Sequence, residues 1–497
     1  MAEVEEAWRA GDFVTVRQKL TLLAETETEG SALAQYRLGQ VLAEGRGGPR
    51  DLQGAADWLQ KSVEQGNVEA AVFLARLYLS TKQEDAAKAA VGLLQQAAGA
   101  GNAEGQYYLG LLLRAGTGTE KRPEQSFTLF QAAANQGYVE AQYELARAYS
   151  MGEGVPQNNE AAVSWLTAAA GSGHQTAQMN LAAALDQGRG VAQDQTAALG
   201  WYLRAAEAGN PVAQREAGMH YLQGLGTEAN PGEALRWLTT AAQAGEAGAQ
   251  VNLGLVFSEG EKWGIPQDDA QAVNWYSQAA AQTSPQGMVA LAGMMEAGRG
   301  TETDLPGAVD LLRRALRDTG FPLAALKLGQ MAGAGKLDGL VAPQNAVPWA
   351  LLAAEQGDAA AVGWLDAQAG ADNRPAMTAM GLYLQTQQGQ EARAAELFAR
   401  AAEEGDVVAQ LKLGEALTAG TGVAADPVTA HKWLNIAAAQ GNSQAAQQRD
   451  ALAQSMTPEQ ITQAQSDARI WFETESSRVP QTDQTERSET IQPRSSD

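Results

Sequence analysis

The sequence contains no cysteine and only three histidines, and this scarcity excludes several classes of site. Without cysteine there are no disulfide bonds, no thiolate metal ligands and no cysteine nucleophile. No two of His174, His220 and His431 have the i, i+4 spacing of a helical metal site, so all three are interpreted as structural, with lining of an inner surface as the alternative for His220. The sequence therefore predicts no metal site, no cofactor, no catalytic residue and no enzymatic activity.

Long apolar runs are also missing. No segment approaches the roughly 18–20 apolar residues of a membrane-spanning helix, so no membrane span is predicted. The acidic first residues lack the basic and apolar segments of a secretory signal, which favours the cytoplasm for the chain as written. A periplasmic location stays open, because a chain with its signal peptide removed would look the same.

Basic residues are scarce relative to acidic ones. The chain has 35 Lys and Arg against 58 Asp and Glu, a formal net charge of −23. A surface of this sign repels phosphate groups, which argues against nucleic acid and anionic membranes as partners. The acidity serves either the solubility of a long exposed surface or the binding of a cationic partner.

What the sequence does have is a repeat. A bulky residue recurs eight positions before a glycine or its equivalent at intervals of 35–38 residues, apart from one interval of 48. Small residues, mostly alanine, stand three before and four after it, which places all three positions on one helical face. The pattern predicts a buried stripe with this anchor residue as its large member. The anchors are Trp58, Leu93, Leu129, Trp165, Trp201, Trp237, Trp275, Leu312, Trp349, Leu397 and Trp433.

Helix start and stop signals flank each anchor. Asp or Asn seven residues before the anchor is a natural N-cap in six units, at Asp51, Asn158, Asp194, Asn230, Asp268 and Asp426. Gly-x-Gly turns such as Gly152 to Gly154 precede several of these caps and can reverse the chain. Each unit is therefore a helical hairpin that cannot bury both of its apolar faces alone. We predict an all-α protein, a right-handed α-solenoid of about eleven helix-turn-helix repeats with terminal capping helices.

The motifs within the unit are specific. The first helix carries Ala-Gln-x-x-Leu-Gly, for example from Ala34 to Gly39 and from Ala409 to Gly414, and the second carries Ala-x-x-Trp followed by Ala-Ala-x-x-Gly. This combination closely resembles the Sel-1-like repeat family, a group of tetratricopeptide-type α-solenoids, over about residues 31 to 442. The resemblance implies an adaptor that holds other proteins or envelope components together.

The chain ends depart from the repeat. Before the repeats, Leu20, Leu22 and Leu23 are expected to face inward in a degenerate hairpin. After the repeats, Thr457 and Gln460 form the capping box of a helix that either caps the last repeat or docks a partner. The predicted organisation is a capping hairpin at 1–30, a solenoid at 31–442 with an irregular insertion at about 359–373, capping helices at 443–473 and a disordered tail at 474–497.

A protein or peptide partner is predicted on the concave face lined by first helices. The candidate contacts, chosen from helix phase, are Tyr36, Arg37, Tyr107, Tyr108, Tyr143, Met179, Arg215 and Lys412. Two tryptophans outside the repeat register, Trp263 in a long turn and Trp364 in the insertion, either pack on neighbouring helices or anchor a partner. The sequence does not indicate an oligomeric state.

Two functions of different class remain at this point. The first is a non-enzymatic scaffold that binds its partner on the concave face. The second is a bacterial envelope component that assists polysaccharide or peptidoglycan assembly, for which Trp263 with Glu259, Glu261 and Asp268 is the one cluster of an aromatic beside carboxylates.

Overall fold

The computed structural model describes residues 1–26 and 30–478. Within these residues the chain forms 27 α-helices and one 3₁₀ turn, Gly260–Trp263, and it contains no strand. This result confirms the predicted all-α class. The first fourteen helices are α1 Ala2–Arg9, α2 Phe13–Ala24, α3 Ser31–Glu44, α4 Leu52–Glu64, α5 Val68–Ser80, α6 Glu84–Gly99, α7 Ala103–Ala115, α8 Pro123–Asn135, α9 Val139–Met151, α10 Asn159–Gly171, α11 Gln175–Gln187, α12 Gln195–Glu207, α13 Pro211–Gln223 and α14 Pro231–Gln243.

The remaining helices continue the alternation with one interruption. They are α15 Ala247–Ser258, α16 Asp269–Ala281, α17 Pro285–Ala297, α18 Leu305–Thr319, α19 Pro322–Gly333, α20 Pro343–Glu355, α21 Ala359–Gly370, α22 Arg374–Gln385, α23 Glu391–Glu403, α24 Val407–Ala419, α25 Pro427–Ala439, α26 Ser443–Ala453 and α27 Pro458–Arg478. The chain divides into two compact units, of which the first ends at Ala249 and the second starts at Gln250. Within each unit, consecutive helices pack as hairpins and each hairpin packs on the next in chain order, as in an α-solenoid.

Eleven hairpins, from α3–α4 to α24–α25, correspond to the eleven anchors. The six Asp and Asn residues predicted as N-caps of second helices all accept a backbone N–H of the first helical turn, as Asp51 does from Gly54 at 2.8 Å. First helices are capped in the same way, for example by Asn102. Local capping therefore determines where most of these helices begin.

The two positions of a Gly-x-Gly turn require glycine for different reasons. Gly152 ends α9 in the left-handed conformation at φ +72°, which is strained for residues with a Cβ. Gly154 also has a positive φ, and a Cβ there would lie 2.2 Å from the carbonyl oxygen of Pro123 in the preceding hairpin. The second glycine thus allows the turn to touch the backbone of its neighbour, which couples one repeat to the next.

The anchor is not the most deeply buried large residue in every hairpin. In several hairpins the residue after it is buried more deeply and faces the glycine of the Ala-Gln-x-x-Leu-Gly motif: Phe130, 1% exposed, packs against Gly110, and Leu238, fully buried, against Gly218. Trp201 itself is half-buried and packs sideways on clusters that include the preceding hairpin, whereas the anchor Leu312 is buried. The alanines of the predicted stripe are buried as expected. The choice of the anchor as its large member was wrong where the space that the glycine leaves opens toward the next position on the second helix.

Both ends of the chain carry helices outside the hairpins. In α2, Leu20 is fully buried and Leu23 half-buried, but Leu22 is 67% exposed, contrary to the prediction. Two residues along a helix is a rotation of about 200°, so Leu20 and Leu22 cannot share a face. At the other end, Thr457 and Gln460 form the predicted reciprocal capping bonds at 2.9 and 3.3 Å.

The final helix α27 packs on α25, where Trp471 meets Trp433 edge to face at 6.0 Å. It continues to Arg478, beyond the predicted start of the tail at Thr474. The rest of that predicted tail, 479–497, lies outside the described residues.

The irregular insertion is one additional helix. α21 has no second helix of its own, and it packs against α19, α20 and α22. Its Ala361, Leu365 and Ala369 are buried at i, i+4 and i+8, so one stripe of this helix joins the core of the second unit. This helix accounts for the long interval between the anchors Trp349 and Leu397.

Candidate interaction surface

The first helices of successive hairpins present equivalent positions side by side. We call the positions equivalent to Tyr36 and Arg37 of α3 the A-helix face. In the first unit, seven of the candidate residues lie at these positions, and each is half-buried: Tyr36, Arg37, Tyr107, Tyr108, Tyr143, Met179 and Arg215. Each of these side chains therefore combines a packed stem with an accessible end.

Five aromatic side chains from three first helices and one loop form two groups of contacting rings on consecutive hairpins, which together we call the aromatic patch: Tyr36 with Phe73, and Tyr107 with Tyr108 and Tyr138. The ring centroids of Tyr36 and Phe73 are 6.3 Å apart, those of Tyr107 and Tyr108 5.1 Å, and those of Tyr107 and Tyr138 5.2 Å. Such tilted and edge-on pairs are favourable aromatic geometry. All five residues are half-buried, so the rings are packed on one side and open on the other.

Arg76 of α5 connects the two halves of the aromatic patch. Its guanidinium carbon lies 5.3 Å from the ring centroid of Tyr108, and its Nη1 donates to Oε1 of Glu104 at 3.0 Å. A guanidinium held between a tyrosine face and a carboxylate combines cation–π attraction with an ion pair. This part of the surface therefore already binds one guanidinium group, that of Arg76.

Carboxylates border the aromatic patch at the N-terminal ends of the same helices. Glu69, Glu104 and Glu140 occupy the first turns of α5, α7 and α9. Burial is the largest cause that raises the pKa of Tyr138, and the charges of Glu104 and Glu140 raise it further. Burial likewise raises the pKa of Tyr107 to about 12. Both hydroxyls are therefore neutral hydrogen-bonding groups at physiological pH.

Toward α11 the A-helix face becomes more polar. The rings of Tyr143 and His174 stack with centroids 4.6 Å apart, and Arg147 pairs with Glu144 at 2.9 Å and with Glu153 at 2.8 Å. A cavity of about 240 Å³ opens beside these groups, with Asn159, Asn180, Met151 and Arg189 in its lining. Here Arg147 is already paired with carboxylates of the chain, and Arg189 donates to the side-chain oxygen of Gln187.

Three further candidates are also engaged in ion pairs. Arg215 pairs with Glu216 at 2.8 Å and with Glu246 at 3.4 Å. In the second unit, Lys412 pairs with Glu415 at 2.8 Å. Arg37 pairs in the same way with Glu5 at 3.7 Å. A partner that used these cations would have to compete with the chain's own carboxylates.

The alternative for His220, lining of an inner surface, is wrong. The residue is 2% exposed, its Nδ1 lies 3.2 Å from the carbonyl oxygen of Leu225, and its Nε2 lies 3.6 Å from a carboxylate oxygen of Asp186. These contacts hold the end of α13 against α11. His220 is a structural residue, and its position near the C-terminus of α13 suits this role.

The cluster around Trp263 is not an open platform. Nζ of Lys262 lies 4.7 Å from the centroid of the Trp263 ring and 3.5 Å from Oε2 of Glu259, while Asp268 is used as the N-cap of α16. The Trp263 indole N–H is buried and has no hydrogen-bond acceptor among the described residues. Trp364 is half-buried on α21 and packs against the core of the second unit. The packing of Trp364 is that of the first alternative, whereas for Trp263 a partner-anchoring role stays a prediction.

Sequence reasoning missed Phe73, Arg76 and Tyr138. Phe73 and Arg76 belong to the hairpin α5–α6, where the glycine turn and the Gln of the motif are both absent, so the repeat pattern drew no attention to them. Tyr138 stands at the N-cap of α9, a position that carries Asn in α5, α7 and α13. An aromatic at a capping position was the available signal, since it satisfies no backbone N–H there.

Residues 1–26 and 30–478 hold neither a cluster suited to a metal ion nor a helix suited to a membrane. No group of three or more His, Asp or Glu side chains in this part of the chain is arranged to hold a metal ion. No helix there is both long and apolar enough to cross a membrane.

Two solved structures of bacterial proteins are similar to this chain. A protective antigen present in uropathogenic Escherichia coli strains, which displays an SLR fold, shares 24% identity over 97% of this chain and 99% of its own, with a TM-score of 0.59. This likeness shows the fold. A Sel1 repeat protein from Oxalobacter formigenes shares 31% identity over 63% of this chain and 89% of its own, with a TM-score of 0.49. No curated protein matches the chain.

The sequence model of the Sel1 repeat matches ten segments: residues 32–67, 103–138, 139–174, 175–210, 211–246, 247–284, 285–318, 322–358, 374–406 and 407–442. Of the eleven hairpins, only α5–α6 is left out, and it is the one that lacks the glycine turn. The lone helix α21 also falls between two matched segments. Because the matches cover well over half of the chain and follow its hairpins, the chain belongs to the Sel1 repeat family.

Proposed function

We propose that this protein is a non-enzymatic scaffold that binds a protein or peptide partner through the A-helix face of its first unit. The observation that carries the proposal is the aromatic patch. Its four tyrosines and one phenylalanine come from successive hairpins, contact one another in pairs and are half-exposed. Tyrosine supplies a large contact area at low entropic cost and is enriched in protein interfaces. An isolated fold does not need such a row of rings at its surface.

A hairpin repeat also suits this role mechanically. Each first helix contributes two adjacent positions to the A-helix face, so a partner that lies across several hairpins meets side chains from all of them. The Gly-x-Gly turns that touch the preceding hairpin hold neighbouring repeats in a defined relation. Pre-organisation of this kind reduces the entropic cost of binding.

The alternative role in polysaccharide or peptidoglycan assembly finds no comparable support. Its best sequence cluster has the Trp263 ring covered by Lys262 and has Asp268 engaged in capping. Sugar binding requires an accessible ring face beside free polar groups. We therefore base the proposed function on the first unit.

The test is site-specific photo-crosslinking in the cell. A benzophenone amino acid is placed at Tyr143 or Met179 on the A-helix face and, as matched controls, at the exposed Thr128 or Ser164 on the second helices α8 and α10. The proposal expects a discrete protein adduct from the A-helix positions and none from the controls. Adducts from the second helices alone, or no adduct from any position, would contradict it.

A further inference from the structure

The aromatic patch and its border carry an excess of negative charge. Glu69 and Glu140 are exposed, and neither has an ion-pair partner among the described residues. Glu104 has one partner, Arg76, which is also the only cation bound within the patch. Two unpaired carboxylates therefore stand on either side of one that already holds a guanidinium.

The bound guanidinium of Arg76 indicates what the neighbouring positions lack. At α7 the arrangement is complete, with the Tyr108 ring, the Glu104 carboxylate and the Arg76 side chain. At the first turns of α5 and α9, Glu69 and Glu140 have aromatic rings nearby and no cation. The carboxylates lie close enough to the rings for their charges to act on the tyrosine hydroxyls. The charges of Glu69 and Glu104 act on Tyr36, and those of Glu104 and Glu140 act on Tyr108.

A structural role accounts for these glutamates only in part. A carboxylate in the first turn of a helix is stabilised by the helix dipole, which is worth a few tenths of a kcal/mol at an exposed site. Glu124 of α8 and Glu160 of α10 occupy first turns in the same way on second helices. The glutamates of α5, α7 and α9 differ from these because they border the half-exposed rings of the aromatic patch.

We propose that the aromatic patch binds an extended, basic segment of a partner protein, with Lys or Arg side chains placed over its rings and paired with Glu69 and Glu140. This inference rests on the proposed function and adds the chemistry of the partner. The overall charge of −23 supports it, because a strongly acidic chain draws a basic partner to its surface before contact.

The spacing of the hairpins also specifies the spacing of the basic residues. Neighbouring helices pack about 8–10 Å apart, so equivalent positions of α5 and α9, two repeats apart, are separated by about 20 Å. An extended chain rises about 3.3 Å per residue, so one repeat corresponds to about three residues. Because Glu104, between Glu69 and Glu140, already holds Arg76, the segment that fits best carries basic residues about six positions apart.

Binding is tested with the full chain and synthetic peptides of about twelve residues by fluorescence anisotropy. One peptide has two Arg residues six positions apart, a second has the same composition with its arginines adjacent, and a third has Glu in place of Arg. The spaced basic peptide should bind more tightly than the clustered one, and the acidic peptide should not bind. Equal binding of the spaced and clustered peptides, or tighter binding of the acidic peptide, would overturn the proposal.

A double variant and its matched control locate the site. Glu69→Gln with Glu140→Gln should weaken binding of the spaced peptide about tenfold, which corresponds to two partly exposed charge pairs. Glu124→Gln with Glu160→Gln makes the same change in net charge and in first-turn carboxylates on the second helices, and it should change the affinity less than about twofold. Equal losses in both double variants would mean that only net charge attracts the peptide, and the proposal would fall.

Arg76 provides a second, independent readout. If it is a stand-in for the partner's cation, Arg76→Ala frees Tyr108 and Glu104 and leaves the affinity for the basic peptide unchanged or higher. A weaker affinity in Arg76→Ala, with an unchanged circular dichroism spectrum, would contradict this reading. Crosslinks from Tyr143 or Met179 together with no preference among the peptides would leave the scaffold role intact and remove only the basic partner.

Discussion

A column of buried glutamines allows a gain in stability to be predicted at one position. Gln35, Gln106, Gln250 and Gln410 each lie in a first helix and accept a hydrogen bond at 2.8 Å from a glutamine at the end of the second helix of the same hairpin. In the hairpin α13–α14 the corresponding end residue is Ala244. Oε1 of Gln214 is consequently buried without a hydrogen-bond donor among the described residues.

The perturbation is Ala244→Gln. Ala244 is exposed at the C-cap of α14, where the other hairpins carry Gln65, Gln136 or Gln440 with similar backbone angles, so the new side chain needs no backbone movement. A buried acceptor that gains its hydrogen bond contributes about 1 kcal/mol, partly offset by the ordering of the glutamine side chain. We expect the free energy of unfolding of this region to rise by about 0.5–1.5 kcal/mol.

Hydrogen exchange is the appropriate assay, because repeat proteins open locally and a single unfolding midpoint averages over many hairpins. A gain of about 1 kcal/mol slows exchange of the amides in α13 and α14 about fivefold. Ala208→Gln is the matched control: it makes the same substitution at the C-cap of α12, opposite Gln178, whose side chain is only half-buried. If Ala244→Gln protects its hairpin no more than Ala208→Gln does, the buried oxygen of Gln214 already has a partner and the reasoning is refuted.

Four further substitutions test the packing and the titrating groups. Gly110→Ala should lower the free energy of unfolding by about 1–3 kcal/mol, because the new Cβ would lie 2.7 Å from the buried Phe130 ring. Gly200→Ala is the control: its Cβ would have nothing within 4 Å, so it should raise the free energy of unfolding by about 0.5–1 kcal/mol. Equal shifts of the two variants in thermal unfolding would contradict this expectation. Burial raises the pKa of Tyr107 from 10.0 to about 12, so its stabilising neutral form is lost as pH rises through that interval, and Tyr107→Phe should remove one late step from the tyrosinate absorbance titration. Burial, and after it the charge of Arg449, lower the pKa of His431 below 6.5, so its contribution to the free energy of unfolding is present above that pH and is lost as the solution becomes more acidic. The free energy of unfolding of His431→Gln should therefore depend less on pH between about 7 and 5. An unchanged pH dependence would show that His431 is not its source.

Much of the local structure follows from short-range patterns in the sequence. The N-caps at Asp51 and Asp426, the reciprocal capping of α27 and the glycine turns depend on residues within a few positions of one another, so the chain specifies them without long-range contacts. The period of about 36 residues then determines that these pieces recur as hairpins. Family, class and repeat number were predictable for this reason.

The errors have a common physical origin. Helical phase places several side chains near one face, and only packing decides which of them goes deepest; the glycine of the first helix gives that place to Phe130 or Leu238, one residue after the anchor. Phase was also misjudged at Leu22, where a run of leucines suggested a face that a helix cannot form. The lone helix α21 could be located as an insertion, but its wedge between α19 and α22 depends on tertiary contacts.

The same distinction between helix phase and tertiary packing applies to the candidate surface. Helix phase alone determined that Tyr36, Tyr107, Tyr108 and Tyr143 share a face, since they stand at equivalent positions of equivalent helices. Only the tertiary structure decided that Phe73, Arg76 and Tyr138 join them, and that Arg37 and Arg215 are held by the distant carboxylates of Glu5 and Glu246. The reason is that a repeat fixes the position of a residue along its own helix, whereas its neighbours across hairpins depend on side chains that the repeat does not constrain.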